Sequence, residues 1–315
     1  MINYLLSPLE KLAVHVNITA LDVGARGNIK PDLELIKHSV DWLRFEPDES
    51  GFTSKNDNDW RSVSYIPYAV AAREETFNLH IYKRRGCSSK YTADKMLASL
   101  FSRGGYYELD DEMKVHGRPL DSIVSEYALR HPAFLKIDVQ GMEIECFSGA
   151  KGILENDLVG IRTEVSFLPI YIDQPLFANV DQALRPFGFQ PMLWIEMHEW
   201  RRTTRTKLPV LDPGPMPYSR GQIVHGDLLY LLQPEQLRSS NETEIQRLVR
   251  LGIISTCYDL FDHALAVFER EEVRNYCHSI IKIDPVELLE KFSKEKSRRY
   301  KGIRRFIRHV LNRLL

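Results

Sequence analysis

The chain of 315 residues sets 42 Lys and Arg against 43 Asp and Glu, and a formal net charge of −1 argues against a surface that coats nucleic acid. With 43% hydrophobic and 27% charged residues, it has the composition of a globular protein with a large core, expected as two domains or as one α/β domain with an appendage. No apolar run approaches the ~20 residues of a membrane-spanning helix and no signal peptide is legible, so a cytoplasmic protein is expected. Cys87, Cys146, Cys257 and Cys277 are scattered, without a CxxC pair or clustered histidines, and point to neither a disulfide framework nor a bound metal.

Taken in chain order, Ser7 and Pro8 predict the start of a helix carried by Leu9, Leu12 and Ala13. A short β-rich run, Ile18 to Val23, then ends in Gly24-Ala-Arg-Gly27. A helix-compatible stretch from Pro31 to His38 follows, and a second run, Asp41 to Phe45, stops at Glu46 and Pro47. This is the order of a nucleotide-binding βαβ unit, with about 20 residues between glycine turn and acid. Further strands are predicted at Ser64 to Val70, Phe77 to Tyr82, Phe134 to Val139, Gly160 to Val165 and Asp227 to Leu232. Helices are predicted at Leu120 to Leu129, Glu143 to Asn156 and Asn179 to Phe187. The alternation implies a mostly parallel sheet covered on both faces.

Met197 to Gly226 reads as a long irregular loop, punctuated by Pro209, Pro213, Pro215 and Pro217. His198 and Trp200 stand at its start. Arg201, Arg202, Arg205 and Lys207 make it basic, either to grip a phosphate or carboxylate or simply as a solvated charged loop. Helical spacing takes over after Pro234, at Asn241 to Cys257, Tyr258 to Cys277 and Pro285 to Lys294. Leu251-Gly252, Tyr258, Ala264 and Phe268 resemble one tetratricopeptide-type hairpin, too little for a solenoid. The expected division is a domain over 1–233 and a helical extension over 234–315.

The even charge balance hides an asymmetry. Residues 294–315 hold nine Lys or Arg against one acid, Glu295, so they carry +8 and leave −9 for the rest. Ile303, Phe306, Ile307, Val310, Leu311, Leu314 and Leu315 form an apolar stripe at helical spacing among those charges. Such a helix suits the surface of an anionic membrane; docking on the protein's own acidic body or on a second subunit stays open.

In the glycine turn, Gly24 and Gly27 allow a close backbone approach. Asp22 and Glu46 suit ribose or adenosine better than a phosphate, because carboxylates accept hydrogen bonds from hydroxyls and repel pyrophosphate. The turn has neither a P-loop lysine nor a full GxGxxG, so by itself it is equally an ordinary connection.

A second block is more specific. Leu135-Lys-Ile-Asp-Val-Gln-Gly-Met-Glu-Ile-Glu-Cys-Phe-Ser-Gly-Ala150 joins Leu21-Asp-Val-Gly-Ala-Arg-Gly27, Phe45-Glu-Pro-Asp48 and Glu164-Val-Ser-Phe with Tyr171, Gln174 and Phe177. Together these resemble the FkbM family of S-adenosylmethionine-dependent methyltransferases over roughly Leu21 to Leu232. Asn28 stands where a third glycine is common and Gln140 where glutamate is frequent.

The resemblance implies a Rossmann-like class I methyltransferase fold, a seven-stranded α/β sheet with S-adenosylmethionine across the carboxyl ends of its strands. It places Asp22, Gly24, Ala25, Arg26 and Gly27 on the methionine part, Glu46 and Pro47 at the ribose, Ala69 and Val70 near adenine, and Asp138 and Val139 beside the methyl donor. Ala69 and Val70 read equally well as plain core. The implied reaction is O-methylation of a hydroxyl on a sugar, glycan or glycolipid precursor; a lipid or polyketide-like hydroxyl and a noncatalytic scaffold are the alternatives. Orientation and a base would supply the catalysis, with Asp138 the first candidate base and Glu164 and Glu143 next. Glu143 can equally serve the dipole of its helix. A small-molecule or glycan substrate is expected, with no nucleic acid, with peripheral membrane contact through 294–315, and with a homo-oligomer left open.

Overall fold

A computed structural model describes residues 2–52, 57–129, 131–206 and 220–298. Two compact units emerge. One comprises Thr19–Ile29 and Asp41–Gln233; the described residues of the other fall within Met1–Ile18, Lys30–Val40 and Pro234–Leu315.

The first unit is built on a seven-stranded sheet. In chain order its strands are β1 (Ile18–Val23), β2 (Val40–Phe45) and β3 (Ser62–Ile66), then, after β4 (Ala69–Val70), β5 (Glu75–Tyr82) and β6 (Leu109–Arg118) of a smaller sheet, β7 (Pro132–Ile137), β8 (Gly160–Ser166), β9 (Phe189–Trp200) and β10 (Gln222–Leu232). The spatial order is β3-β2-β1-β7-β8-β10-β9. β2 pairs with β3, β1 with β7 and β7 with β8 in parallel, while β10 runs antiparallel to both neighbours. Every residue of β1 and β7 is buried, as strands covered on both faces require. The order reverses between β1 and β7, which makes the crevice beyond their carboxyl ends the natural ligand site of such a sheet.

Several local expectations are corrected. Ser64 to Val70 is two strands, because Pro67 has no N–H for the ladder; β4 instead pairs with β6, which is antiparallel to β5. Glu143 to Asn156 is two helices, Glu143–Ser148 and Lys151–Asn156. A side chain on Gly149 between them would lie 2.1 Å from the Ala71 carbonyl, so the chain turns where only glycine fits. Both ends of the stretch read as a loop from Met197 to Gly226 are strand, since β9 runs to Trp200 and β10 starts at Gln222. Lys207 and the four loop prolines lie outside the described residues.

In the second unit the opening helix runs Ile2–Val16 with Pro8 inside it, and Leu9, Leu12, Ala13 and Val16 are buried at helical spacing. Pro31–Ser39 is a 3-10 helix, and three helices follow at Glu242–Cys257, Phe261–Phe268 and Glu271–Ile281, so Tyr258 to Cys277 is not one helix. Residues 285–298 are helical. The first helix packs against the helices at Glu242–Cys257 and Glu271–Ile281. Arg250, 3% exposed, donates to the Val16 carbonyl at 2.8 Å. A Cβ on Gly252 would come within 2.6 Å of the Phe268 ring, which explains the small residue where two helices cross. The apolar stripe from Ile303 to Leu315 lies outside the described residues.

Candidate active site

The glycine turn at the end of β1 is held from beneath by charge. Arg44, on β2 and fully buried, donates from Nε to Asp22 Oδ2 at 3.1 Å and from Nη2 to the carbonyls of both Ala25 and Gly27 at 2.8 Å each. Lys136 on β7 approaches Asp22 Oδ1 at 3.2 Å and donates to the Gly24 carbonyl at 3.3 Å. Burial pushes the Lys136 ammonium down, but the charges of Asp22 and Asp138 prevail and leave its pKa raised. Asp22 therefore faces two cations, which fix the turn.

Gly24 and Gly27 both have positive φ, +74° and +86°. A Cβ on Gly24 would sit 1.9 Å from the Asp138 carbonyl, so the ends of β1 and β7 meet through a gap that only glycine leaves. The Asp138 N–H donates to the Val23 carbonyl at 3.0 Å. The Gly24 and Ala25 N–H groups both donate to Phe45, and that of Gly27 to Gly51. With these donors engaged, the turn offers a ligand proximity more than an anion cradle.

At the end of β2, Glu46 is 6% exposed and its Oε1 accepts the Asp48 N–H at 3.0 Å. Its Oε2 lies 4.0 Å from Arg26, which is ion-paired with Asp48. Burial, more than any charge, raises the Glu46 pKa from its ordinary value, against the Asp48 N–H and Arg26. Asp22, Gly24, Ala25, Arg26, Gly27, Glu46 and Pro47 thus gather at the ends of β1 and β2. Ala69 and Val70 do not end a strand of the large sheet. They form β4, where Val70 is 2% exposed and accepts a hydrogen bond from the buried Cys146 thiol.

A polar array closes the site beyond β7 and β8. Gln140, held at a φ of 55°, donates from Nε2 to Asp138 Oδ1 at 2.7 Å and to Glu164 Oε2 at 3.0 Å. Its Oε1 accepts from the Tyr171 hydroxyl at 2.8 Å, and its carbonyl accepts from Ser89 at 2.7 Å. Glu164 Oε1 lies 2.7 Å from His225 Nδ1, and the His225 ring stacks on that of His198 at 4.5 Å. Register explains the meeting: His225 on β10 stands opposite Ser166 of β8 on one side and His198 of β9 on the other.

Burial, reinforced by Asp138 and Asp227, raises the Glu164 pKa well above the carboxylate range, and burial lowers that of His225 in spite of the surrounding acids. Glu143 takes another place. Its Oε1 accepts the N–H groups of Val139 and Gly141 at 3.2 Å each, and burial, with Glu164 nearby, pushes its pKa up to about 8. Glu143 clasps the loop after β7 and takes no place in the Asp138–Gln140–Glu164–His225 array.

Sequence pattern alone does not mark Arg44, Lys136 and His225 as site residues, nor show the part that Gln140 plays. A signal for His225 was present in the alternation of Val224, Gly226 and Leu228, buried residues that mark a strand where a loop was expected.

Residues 22–191, more than half of the chain, match the model of the Methyltransferase FkbM domain. The chain belongs to the FkbM methyltransferase family. Its sheet is accordingly the Rossmann-like class I methyltransferase fold, and the glycine turn, Glu46 and the Asp138 loop all lie within the FkbM domain. No curated protein matches the sequence. Among solved structures it is similar to methyltransferase FkbM from Methylobacillus flagellatus KT, at 12% identity and a TM-score of 0.36 over 69% of this chain and 44% of that one. The chain therefore spans less than half the length of that relative. His225, His198 and Trp200 lie beyond the matched FkbM segment. Among the described residues no group of His, Cys, Asp and Glu is arranged to hold a metal ion, and no helix is long and apolar enough to cross a membrane.

Proposed function

We propose that this FkbM-family chain is an S-adenosylmethionine-dependent O-methyltransferase, acting on a hydroxyl of a sugar, glycan or glycolipid precursor. The observation that carries the reading is the hydrogen-bonded array of Asp138, Gln140, Glu164 and His225, set at the carboxyl ends of β7 and β8 beside the glycine turn. The residues fit the cofactor. Nothing stands within 4 Å of where a Cβ on Gly27 would lie, which leaves the turn open there, and the buried Glu46 carboxylate suits ribose hydroxyls. Asp22, Arg26, Gly27 and Val139 would frame the remainder, and bound S-adenosylmethionine would supply an electrophilic methyl group.

The chain's own work is to hold the acceptor and accept its proton. A neutral imidazole is the suitable base, and burial keeps His225 neutral at pH 7. In the tautomer whose Nδ1–H donates to Glu164, Nε2 is free to take the hydroxyl proton. Gln140 ties Asp138 into the same array, so Asp138 and Glu164 act through position. Polar walls of this kind favour a sugar hydroxyl over a greasy acceptor. The nine basic residues of 294–315 support reversible contact with an anionic membrane surface.

Calorimetric titration with adenosylmethionine and adenosylhomocysteine tests the reading. Both should bind the full chain, and Glu46→Ala should weaken both. A folded protein that binds neither ligand is not a methyltransferase.

A further inference from the structure

Beside the polar array, a cavity of about 430 Å³ opens between the segment Phe101–Arg103 and the end of β9, and Arg103, Arg201 and Arg202 line it together with Ser102, Thr203 and Glu199. Arg103 and Arg201 are partly buried, and none of the three arginines is ion-paired among the described residues. Elsewhere in the chain Arg26, Arg44, Arg61, Arg118 and Arg162 each have a carboxylate partner. The segment 1–293 that contains the cavity carries −9 overall, so three adjacent guanidinium groups reverse the local sign.

Two of the three are held in place by rings. The Arg103 guanidinium carbon lies 5.6 Å from the centre of the Trp200 ring, and that of Arg202 lies 5.3 Å from the centre of Phe101. Guanidinium donors lie in the plane of the group, so contact with a ring does not consume them. Phe101 and Trp200 are buried and pack edge to face at 5.7 Å, a rigid floor for both cations. Ser102 and Thr203 share a hydrogen bond across the cavity wall, and the Thr203 N–H donates to the Leu100 carbonyl at 2.7 Å, which fastens the two segments together. The one acid, Glu199, accepts the Gly221 N–H at 2.9 Å. Three positive groups against one carboxylate leave two charges uncompensated, the charge of a phosphate monoester dianion.

The cavity is coupled to the chemistry through one residue. Trp200, which carries Arg103, also meets the His225 ring edge-on at 6.0 Å. An acceptor anchored by its anionic end among the arginines would lie one indole away from the imidazole that Glu164 holds.

We infer that the acceptor is phosphorylated, and that Arg103, Arg201 and Arg202 form a phosphate subsite that orients its hydroxyl toward His225. The assignment rests on the methyltransferase reading for its purpose, but the anion site stands on its own geometry. It adds a substrate class to the site, since a bidentate guanidinium fork selects phosphoryl groups over neutral sugars.

Calorimetry with inorganic phosphate on the full chain is the test, with adenosylhomocysteine titrated into the same samples. Wild type should bind phosphate saturably and more tightly than acetate. The double substitution Arg201→Gln with Arg202→Gln should weaken phosphate at least tenfold, while adenosylhomocysteine affinity, which also reports folding, stays within twofold. Glu199→Gln removes the opposing charge and should tighten phosphate several-fold, an effect that general loss of structure would not produce. Absence of saturable phosphate binding, or equal binding by the double variant, overturns the subsite. If phosphate behaves as expected and adenosylhomocysteine does not bind at all, the methyltransferase reading fails and the anion site remains. A soluble hexose phosphate and the same sugar phosphate on a lipid carrier then distinguish the two sources. Methylation of either at full kcat/KM by the double variant also overturns the subsite.

Discussion

At the scale of single residues, the environment decides which acid or base can act. His225 is the group most exposed to test. Its pKa is lowered by burial, so the neutral form persists through pH 7 and is lost only as pH falls below the ordinary histidine value of about 6.5. The expected kcat/KM profile is flat through neutrality with an acid limb below that value, and His225→Gln should lower kcat by roughly 10²–10⁴-fold with little change in adenosylhomocysteine affinity. A variant that turns over normally returns the base to Asp138 or Glu164. Glu143 makes a different prediction, about stability. Its pKa near 8 in the folded protein exceeds that of an unfolded glutamate, so the native state binds the extra proton and stability falls as pH rises from about 4.5 to 8. His225 has the opposite sign, because its lowered pKa makes stability fall as pH drops below about 6.5. Between pH 7 and 8 the His225 effect has faded, and the raised carboxylates, Glu143 among them, give the slope its sign. Wild type should lose about 1 kcal/mol over that interval through Glu143. Glu143→Gln keeps an acceptor for the Val139 and Gly141 N–H groups and should remove that part of the slope in denaturant unfolding at the two pH values.

Elements turn these residues into a site, and the β9–β10 pair is the clearest case. Gly226 sits between His225 and Asp227, and a Cβ there would meet the Glu196 carbonyl at 2.4 Å and the Met197 Cα at 3.1 Å. Gly226→Ala must therefore push β9 away from β10, at a cost of roughly 1–3 kcal/mol. The stacked His198 and His225 should shift with it, so kcat should fall while adenosylhomocysteine affinity, set at β1 and β2, holds; unchanged stability and kcat would show that the pairing tolerates a methyl group. The same pair shows what sequence pattern can and cannot carry. β1, β2, β7 and β8 were legible because central strands of a parallel sheet are buried on both faces, which leaves short runs rich in apolar and β-branched residues with few polar interruptions. β6 was not, since LDDEMKVHGR buries only Val115 and Gly117, and β9 was not, since it is an edge strand with Pro191 and mostly half-buried or exposed residues. Gly24, Glu46 and Asp138 could be read from strand, turn and acid in order. The pairing of Glu164 with His225 could not, because 61 residues separate partners that only strand register brings together.

For the whole molecule, the decisive fact is how charge is divided along the chain. Residues 294–315 bring +8 to a chain whose net charge is −1, so a chain ending at Ser293 should carry −9 and focus at a distinctly lower isoelectric point. Its fold should survive. Pro285, Leu288, Leu289 and Phe292, the buried residues of the last described helix, remain, and the ion pairs lost with Lys294 and Lys296 are exposed ones worth roughly 0–1 kcal/mol each. Lys296, paired with Asp259 and 5.9 Å from the Phe261 ring, is the described part of that basic segment most engaged with its own unit. Contact with an anionic surface should depend on the other basic residues, each contributing about 1 kcal/mol close to the bilayer, and should weaken as salt screens it. Flotation with phosphatidylserine vesicles at low and high salt separates the possibilities. The full chain should float at low salt and be released at high salt, while the chain ending at Ser293 should stay in solution at both. Vesicle binding that persists after truncation would assign the membrane contact to another surface, and a full chain that never floats would leave the basic segment to a protein partner or to the acidic body itself.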